Sequence, residues 1–313
     1  MAAIAILVNH DRPETAALAA EAGEWLTSQG HAVRLLRLPD TRDEGTAAPA
    51  NDLPAAALEG ADLAVSFGGD GTFLRMAQLA YAARIPVLGV NFGRVGYLLH
   101  AEPEQLYDVL RRSIAGEIEV EPRSVLAVTV GGRLTSGATA QLPAPGSPPS
   151  GETAREWMAV NEVVVEKTVP GHMVHLATSF DGAPGPTYRA DGLLVATPTG
   201  STAYNLSAGG PVVAPGMRAM IVTPVAPHFS IDRSMVLDAS QSVTITVTAS
   251  RPAVLVVDGR SVGRLEPGSE VRCRLADEPL RLVHAGKRNL GELFVRTMSA
   301  MGNTTTDPSG GPR

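Results

Sequence analysis

A single aspartate set among glycines, Gly68-Gly69-Asp70-Gly71, follows the apolar run 63–67 and precedes Phe73, Met76, Ala77 and Ala80 at helical spacing. Glycines where a strand meets a helix let the backbone approach a phosphate closely, and helix N–H groups complete the cradle. A carboxylate in that cradle would repel the phosphate. Asp70 therefore makes sense if it binds a cation or takes a proton from a nucleophile beside the phosphate. The alternative is a plain Asp-Gly turn. No GxxxxGK[ST] loop and no GxGxxG after a strand are present, which argues against P-loop ATPases and ordinary dinucleotide-binding dehydrogenases.

A second stretch organises the rest of the chain: residues 191–211 read DGLLVATPTGSTAYNLSAGGP. Residues 193–196 have the character of a buried strand, and Thr197-Pro198-Thr199-Gly200-Ser201-Thr202 must interrupt it. Ala203-Tyr204-Asn205-Leu206 can then start a helix. Strand, hydroxyl-rich turn and helix N-terminus in that order make a place for a sugar or an anionic oxygen; an ordinary capped turn is the alternative. Asn161-Glu162 interrupts a further apolar run, 157–165. Adjacent strand residues point to opposite faces, so both reach one ligand only at a bulge or a strand end. Asp191 has the same two readings, ligand contact or polar strand end. The seven histidines show no helical H-x-x-x-H pair, so no metal ligand is assigned.

The elements that must hold these groups fall into two kinds. Short aliphatic runs at 4–8, 33–38, 63–67 and 87–90 alternate with helical spacing at Leu18, Ala22, Trp25 and Leu26, and again after residue 72. That alternation predicts a doubly wound α/β domain over residues 1–120, with sites at the C-terminal ends of its strands. From 121 to 284 the runs at 125–130, 158–165, 174–180, 193–196, 235–237, 243–247, 254–257 and 271–275 are β-rich and separated by turn residues. They predict an all-β, sandwich-like second domain. Residues 137–154, rich in Pro, Gly and Ser, and 302–313 are expected to be disordered, and 285–300 to pack back on the first domain.

Composition sets outer bounds. With 313 residues, 44% hydrophobic and 19% charged, the chain has material for two cores; aromatics at 4% make those cores aliphatic. A net charge of −6 without a basic run argues against nucleic acid or an anionic membrane as partner. Lys167 and Lys287 are the only lysines, so phosphate charge must be met by arginine, backbone N–H groups and a metal ion. A lone cysteine, Cys273, excludes an internal disulfide and fits a reducing, cytoplasmic setting. The N-terminus reads as a first strand and not as a signal peptide.

Taken together, GGDG at 68–71, Asn161-Glu162 within AVNEVVVEK, the 191–211 stretch and Pro227-His228 resemble the motif set of NAD kinases, from about residue 60 to 260. GGDG is shared with phosphofructokinases and diacylglycerol kinases, whereas TPTGSTAYNLSAGGP is far more specific. The resemblance implies a phosphofructokinase-like α/β domain with a β-rich partner domain. It also implies transfer of phosphate from ATP or polyphosphate to the 2′-hydroxyl of the adenosine ribose of NAD, aided by a divalent metal, magnesium by expectation. Asp70 aligns with the family's general base, and Gly68, Gly69 and Gly71 with its donor-phosphate loop. Asn161, Glu162, Asp191, Thr202, Ala203, Tyr204, Asn205, Leu206 and Ser207 align with dinucleotide contacts, as do Arg75, His172, Arg189, Ala226 and Arg260. A homodimer or homotetramer is implied as well. Two positions depart from the family: Arg260 stands where Asp-Gly is usually followed by Gln, and Ser234 where Arg is usually followed by Pro. A sugar or lipid kinase would keep GGDG and ignore NAD, and a non-catalytic NAD(P)-binding regulator would keep the pocket without turnover.

Overall fold

The computed structural model describes residues 1–9, 13–37, 53–92, 101–136, 155–228, 231–248, 250–284 and 291. The first part of the chain forms β1 (Ala3–Val8), α1 (Pro13–Ser28), β2 (Ala32–Arg37), β3 (Leu63–Gly68), α2 (Asp70–Ala83), β4 (Val87–Asn91), α3 (Leu106–Ala115) and β5 (Val120–Arg123). Then come β6 (Leu126–Gly131), β7 (Leu134–Ser136), β8 (Arg155–Ala159), β9 (Glu162–Lys167), β10 (Val174–Phe180), β11 (Ala183–Ala190) and β12 (Gly192–Ala196). After α4 (Tyr204–Ser207), a single turn, follow β13 (Ala219–Val225), β14 (Met235–Asp238), β15 (Ser242–Val247), β16 (Ala253–Val257), β17 (Arg260–Leu265), β18 (Glu270–Leu275) and β19 (Leu280–Val283).

The first sheet has the order β2-β1-β3-β4-β19-β5. The first five strands run parallel and β5 closes the edge antiparallel to β19. Alternate residues of β1 go to opposite cores: Ile4 and Ile6 pack with Ala19, Ala22 and Leu26 of α1, whereas Ala5 and Leu7 join the core of Phe73, Met76 and Ala80 from α2. Burial on both faces is why β1, β3 and β4 read as apolar runs with Ser66 as the one polar residue inside them, whereas β2 at the edge is largely exposed and carries Arg34. Pro13 opens α1, where its missing N–H costs nothing. The α2-side core continues into Met158 and Val160, so the helix that begins with Asp70 packs directly on the β-rich half.

The β-rich half is a sandwich of two antiparallel sheets, β11-β10-β15-β18-β6-β8 and β14-β13-β12-β9-β16-β17-β7. Val128, Leu176, Val243 and Cys273 from the first meet Val163, Leu193 and Leu255 from the second in one dry core. An α/β domain with a parallel sheet plus an all-β domain is thus the architecture. The sequence runs omit β5, β7, β11, β13, β17 and β19, and one of the runs divides. The run 158–165 is two strands, β8 and β9, in different sheets with a bend at 160–161. Strand β11 contains Pro184 and Pro186, which mask it in the sequence and which its edge position tolerates. Strand β19 returns the chain to the first sheet, beside β4. The expectations for 137–154, for 285–300 apart from Gly291, and for 302–313 fall outside the described residues. Among the described residues no helix is long and apolar enough to cross a membrane.

Candidate active site

Gly68 ends β3, Gly69 caps α2 with extended backbone (φ −98°, ψ −174°), and Asp70 is the first helical residue. A methyl group added at Gly68 would lie 2.6 Å from Thr72 Oγ1 and 3.3 Å from Asn9 Cβ. The end of β3 is therefore squeezed between the first turn of α2 and the segment leaving β1. Strands β1 and β3 are where the order reverses, β2 lying outside one and β4 outside the other. Ligands of open α/β sheets bind in the crevice at that point. At Gly69 and Gly71 an added methyl would meet nothing within 4 Å among the described residues, so these leave room beside the turn. Asp70 is half-buried, and Arg75 lies on the same helix between Gly71 and Gln78.

The Asn161-Glu162 bend is held by a carboxylate from elsewhere in the chain. Asp258 accepts the backbone N–H groups of Val160 (2.9 Å), Asn161 (2.7 Å) and Glu162 (3.3 Å), and the side-chain amide of Gln78 on α2 (3.3 Å). Its own N–H returns to the Glu162 carbonyl at 3.0 Å. Asp258 and Gly259, at φ 46° and 75°, form the two-residue loop between β16 and β17, with Val257 paired to Arg260. An Asp-Gly hairpin with both residues left-handed is a type I′ turn. It aims the carboxylate inward and starts β17 with Arg260.

Residues 197–213 close over the other side of the bend. Thr197 donates its N–H to the Asn161 carbonyl (2.9 Å) and its hydroxyl to that of Val160 (2.6 Å). Gly200 packs against the Asn161 backbone so tightly that an added methyl would sit on the Asn161 carbonyl oxygen. The hydroxyls expected to face a ligand partly turn inward. Ser201 reaches the Pro198 and Val213 carbonyls (2.6 and 3.1 Å), and Thr202 lies 3.4 Å from the Thr199 carbonyl. Asn205, fully buried, donates to the Ser201 and Pro211 carbonyls at 3.1 and 3.0 Å, so its amide holds the loop. Thr223 Oγ1 lies 2.7 Å from Asn205 Oδ1 and 2.9 Å from Ser234 Oγ. Thr223 has one hydroxyl proton, so if it donates to the amide oxygen, Ser234 donates to Thr223. A proline at position 234 could not extend this chain. Leu206 and Ser207 complete the single turn of α4.

Glu162, Val164 and Glu166 alternate along β9 onto the face that carries the small core of Val164, Leu194, Ala196 and Val213. The Tyr204 backbone N–H donates to Glu162. Burial, reinforced by the neighbouring Asp258 charge, pushes the Glu162 carboxyl up to about 8. Burial raises Asp258 to about 6 against its backbone hydrogen bonds, which pull the other way. Burial and the charges of Glu166, Asp191 and Glu162 raise the Tyr204 phenol. At neutral pH Glu162 is consequently a neutral acid able to donate a hydrogen bond. Three buried polar atoms here have no partner among the described residues: Asn161 Oδ1, Glu162 Oε2 and Thr199 Oγ1. Polar atoms without partners at one place in a packed interior are what a ligand's hydroxyls would satisfy.

Both carboxyls titrate higher in the folded chain than in the unfolded one, from 4.5 to about 8 and from 3.8 to about 6. Between those limits the folded form keeps protons that the unfolded chain releases, so raising the pH favours unfolding. Their stabilisation is complete below about pH 4 and is lost as pH rises through about 6 and then about 8. Melting temperatures across pH 5 to 8.5 should therefore decline on this account, and Glu162→Gln should flatten the upper part of the decline. An unchanged slope in that variant would remove Glu162 as its cause.

A second group lies at the other end of β9. Lys167 Nζ pairs with Asp191 Oδ2 at 2.7 Å, both side chains partly exposed. Asp191 N–H donates to Val225 O (2.9 Å), next to Ala226 with its φ of 44°. His228 N–H donates to the Arg189 carbonyl at 2.7 Å. Arg189, Asp191 and Ala226 are thus neighbours. His172 stands slightly apart, lining a cavity of about 250 Å³ with Lys167, Arg251 and Arg264. Ala203 links the two turns 199–202 and 204–207. Among the described residues no group of three or more His, Cys, Asp or Glu is placed to hold a metal ion. Asp258 and Gln78, which tie the parts together, were not singled out as site residues; the Asp258-Gly259 hairpin signal was the available clue.

A glycine-rich strand-to-helix turn bearing a carboxylate, on a helix tied through Gln78 to a β-sandwich with unsatisfied polar groups, is an arrangement suited to a two-domain phosphoryl-transfer class of protein. Comparisons with known proteins narrow the class. Residues 4–118 match the model of the ATP-NAD kinase N-terminal domain and residues 160–285 that of its C-terminal domain. The NAD kinase of Heliobacterium modesticaldum is 36% identical over 95% of this chain and 99% of its own. An Archaeoglobus fulgidus NAD kinase solved in complex with ATP shares 27% identity at a TM-score of 0.69, covering 95% of this chain and 99% of that one. Yeast NADH kinase, solved with NADH, shares the fold at a TM-score of 0.77 and 23% identity, over 99% of this chain and 90% of that one. The chain belongs to the ATP-NAD kinase family.

Proposed function

We propose that this protein phosphorylates NAD on the 2′-hydroxyl of its adenosine ribose, with Asp70 as general base and ATP or polyphosphate as donor. Family membership carries the reaction class. The observation that carries the site is the set of buried, partnerless oxygens on Asn161, Glu162 and Thr199, joined to the helix of Asp70 through Asp258 and Gln78. NAD lies along the outer face of β9 in this reading. Asn161 and neutral Glu162 meet the ribose hydroxyls, Tyr204 covers the chain of carboxyls, and Asp191 with Arg189, Ala226 and His172 holds the far nucleoside. Arg75 and Arg260 contribute positive charge near the phosphates. Thr202, Ala203, Asn205, Leu206 and Ser207 shape the wall, Asn205 through the loop its amide holds.

Asp70 accepts the proton as the ribose oxygen bonds to the terminal phosphorus and the bond to the donor's leaving phosphate breaks. Alignment and charge neutralisation supply most of the acceleration in such transfers. The open sides of Gly69 and Gly71 let backbone approach the donor phosphates. A divalent cation, magnesium in this reading, fits as a companion of the donor, because the protein offers carboxylate from Asp70 and no ready-made ligand cluster among the described residues. When bound, it supplies charge neutralisation on the donor phosphates. The reading extends to a homodimer or homotetramer, which the family resemblance implies, in a cytoplasmic setting, with which a single buried cysteine is compatible. Incubation with NAD and magnesium, with ATP and polyphosphate supplied separately, should yield NADP with at least one donor. No NADP with either would sink this reading.

A further inference from the structure

We propose that Asp258 and Gln78 are positioning residues that set the base-bearing helix α2 against the dinucleotide-binding bend, so that they govern turnover and not dinucleotide affinity. The inference rests on the reading of Asp70 and Asn161-Glu162 given above. Its geometry stands on its own. One carboxylate, 8% exposed, gathers three consecutive backbone N–H groups from the strand switch between β8 and β9 and one side-chain amide from α2. The first three bonds fix the backbone that presents Asn161 and Glu162. The fourth comes from the other domain, from a residue eight positions after Asp70 on the same helix, about 12 Å along its axis. A rigid helix turns any shift at Gln78 into a shift of the carboxylate at its start.

The two oxygens divide the work. Oδ1 takes Asn161 and Glu162; Oδ2 takes Val160 and Gln78. Carboxylate is the side chain that can accept all four without offering a competing proton. An asparagine there must turn its NH₂ toward one of these donors, which loosens either the bend or the link to α2. Gln78 is only half-buried and its loss leaves no buried donor stranded, because Asp258 retains its backbone partners. Removing Gln78 therefore cuts this hydrogen bond between the domains while sparing each domain's own hydrogen bonds and the apolar packing of α2 on Met158 and Val160. Displacements of about 1 Å in such alignments cost on the order of a hundredfold in rate.

Steady-state kinetics and NAD binding on Gln78→Met, Gln78→Ala, Asp258→Asn and the Gln78→Met/Asp258→Asn double variant test the pairing. Wild-type turnover in the same assay secures the underlying activity first, so its absence counts against the kinase reading and not against the pairing. Gln78→Met, which keeps length and loses the donor, should lower kcat about tenfold with the NAD dissociation constant and KM within twofold, and Gln78→Ala should match it. Asp258→Asn should lower kcat about a hundredfold, and adding Gln78→Met to it should lower kcat no further. Wild-type kcat in Gln78→Met overturns the proposal. So does a loss confined to KM, or a double variant whose losses multiply. Should Asp258→Asn fail to fold, the kcat-against-KM split in the two Gln78 variants decides alone.

Discussion

Replacing Asp70 with Asn should cut turnover at least a hundredfold, about 2.7 kcal/mol of transition-state stabilisation, while NAD still binds. The amide fills the same space at the first position of α2 and cannot take a proton. Two side effects bound the interpretation. A negative charge in the first turn favours the helix dipole by about 0.3–1 kcal/mol, so the variant should melt only slightly earlier. Loss of that charge also removes repulsion toward the donor phosphates, so KM for the donor should stay level or fall. A rate loss with intact melting, unchanged NAD affinity and an unchanged magnesium requirement is the loss of the base, whereas a raised magnesium requirement would mark Asp70 as a metal ligand. Turnover equal to wild type would take Asp70 out of that role.

Legibility in the sequence followed from how local the physics was. Strands β1, β3 and β4 were plain because both faces are buried and only the small Ser66 interrupts an otherwise apolar run. Pro13, Gly30 and the GGDG turn punctuate their helices by backbone chemistry that needs no tertiary partner. The segment 197–211 was recognisable as something other than a strand, but not the direction of its hydroxyls. Ser201 turns to carbonyls at 198 and 213, a choice set by packing on residues far along the chain.

The bend at 160–161 shows where such reading ends. An apolar run from 157 to 165 with one polar interruption is equally a single strand with a polar edge or two strands. Three N–H groups find a carboxylate 96 to 98 positions away, and that long-range capture decides the matter. Strand β19 is a similar case, since four residues, LRLV, carry no signal of which sheet they will join. Nor does Asn205 announce that its amide holds the loop, because its partners at 201, 211 and 223 matter only once the loop has closed.

Gly200→Ala offers the sharpest test of that closure. The new methyl would fall on the Asn161 carbonyl oxygen and lie 2.5 Å from its carbonyl carbon and 2.7 Å from its Cα. All three are backbone atoms, so no rotamer change relieves the overlap. Either the 199–202 turn lifts or the bend moves, and the bend is fixed by Asp258. Overpacking of this kind costs about 1–3 kcal/mol, and here it also displaces the Asn161 and Glu162 side chains. The variant should melt several degrees lower and lose NAD affinity and turnover together, each by more than tenfold. Gly69→Ala is the contrast, since its methyl meets none of the described residues within 4 Å and its backbone is extended. That protein should melt like wild type, bind NAD normally and show a raised KM for the phosphoryl donor, whose phosphates need the space. Were both alanine variants to behave alike, the two glycine turns would not be serving different ligands, and the division of the site between donor and dinucleotide would be wrong.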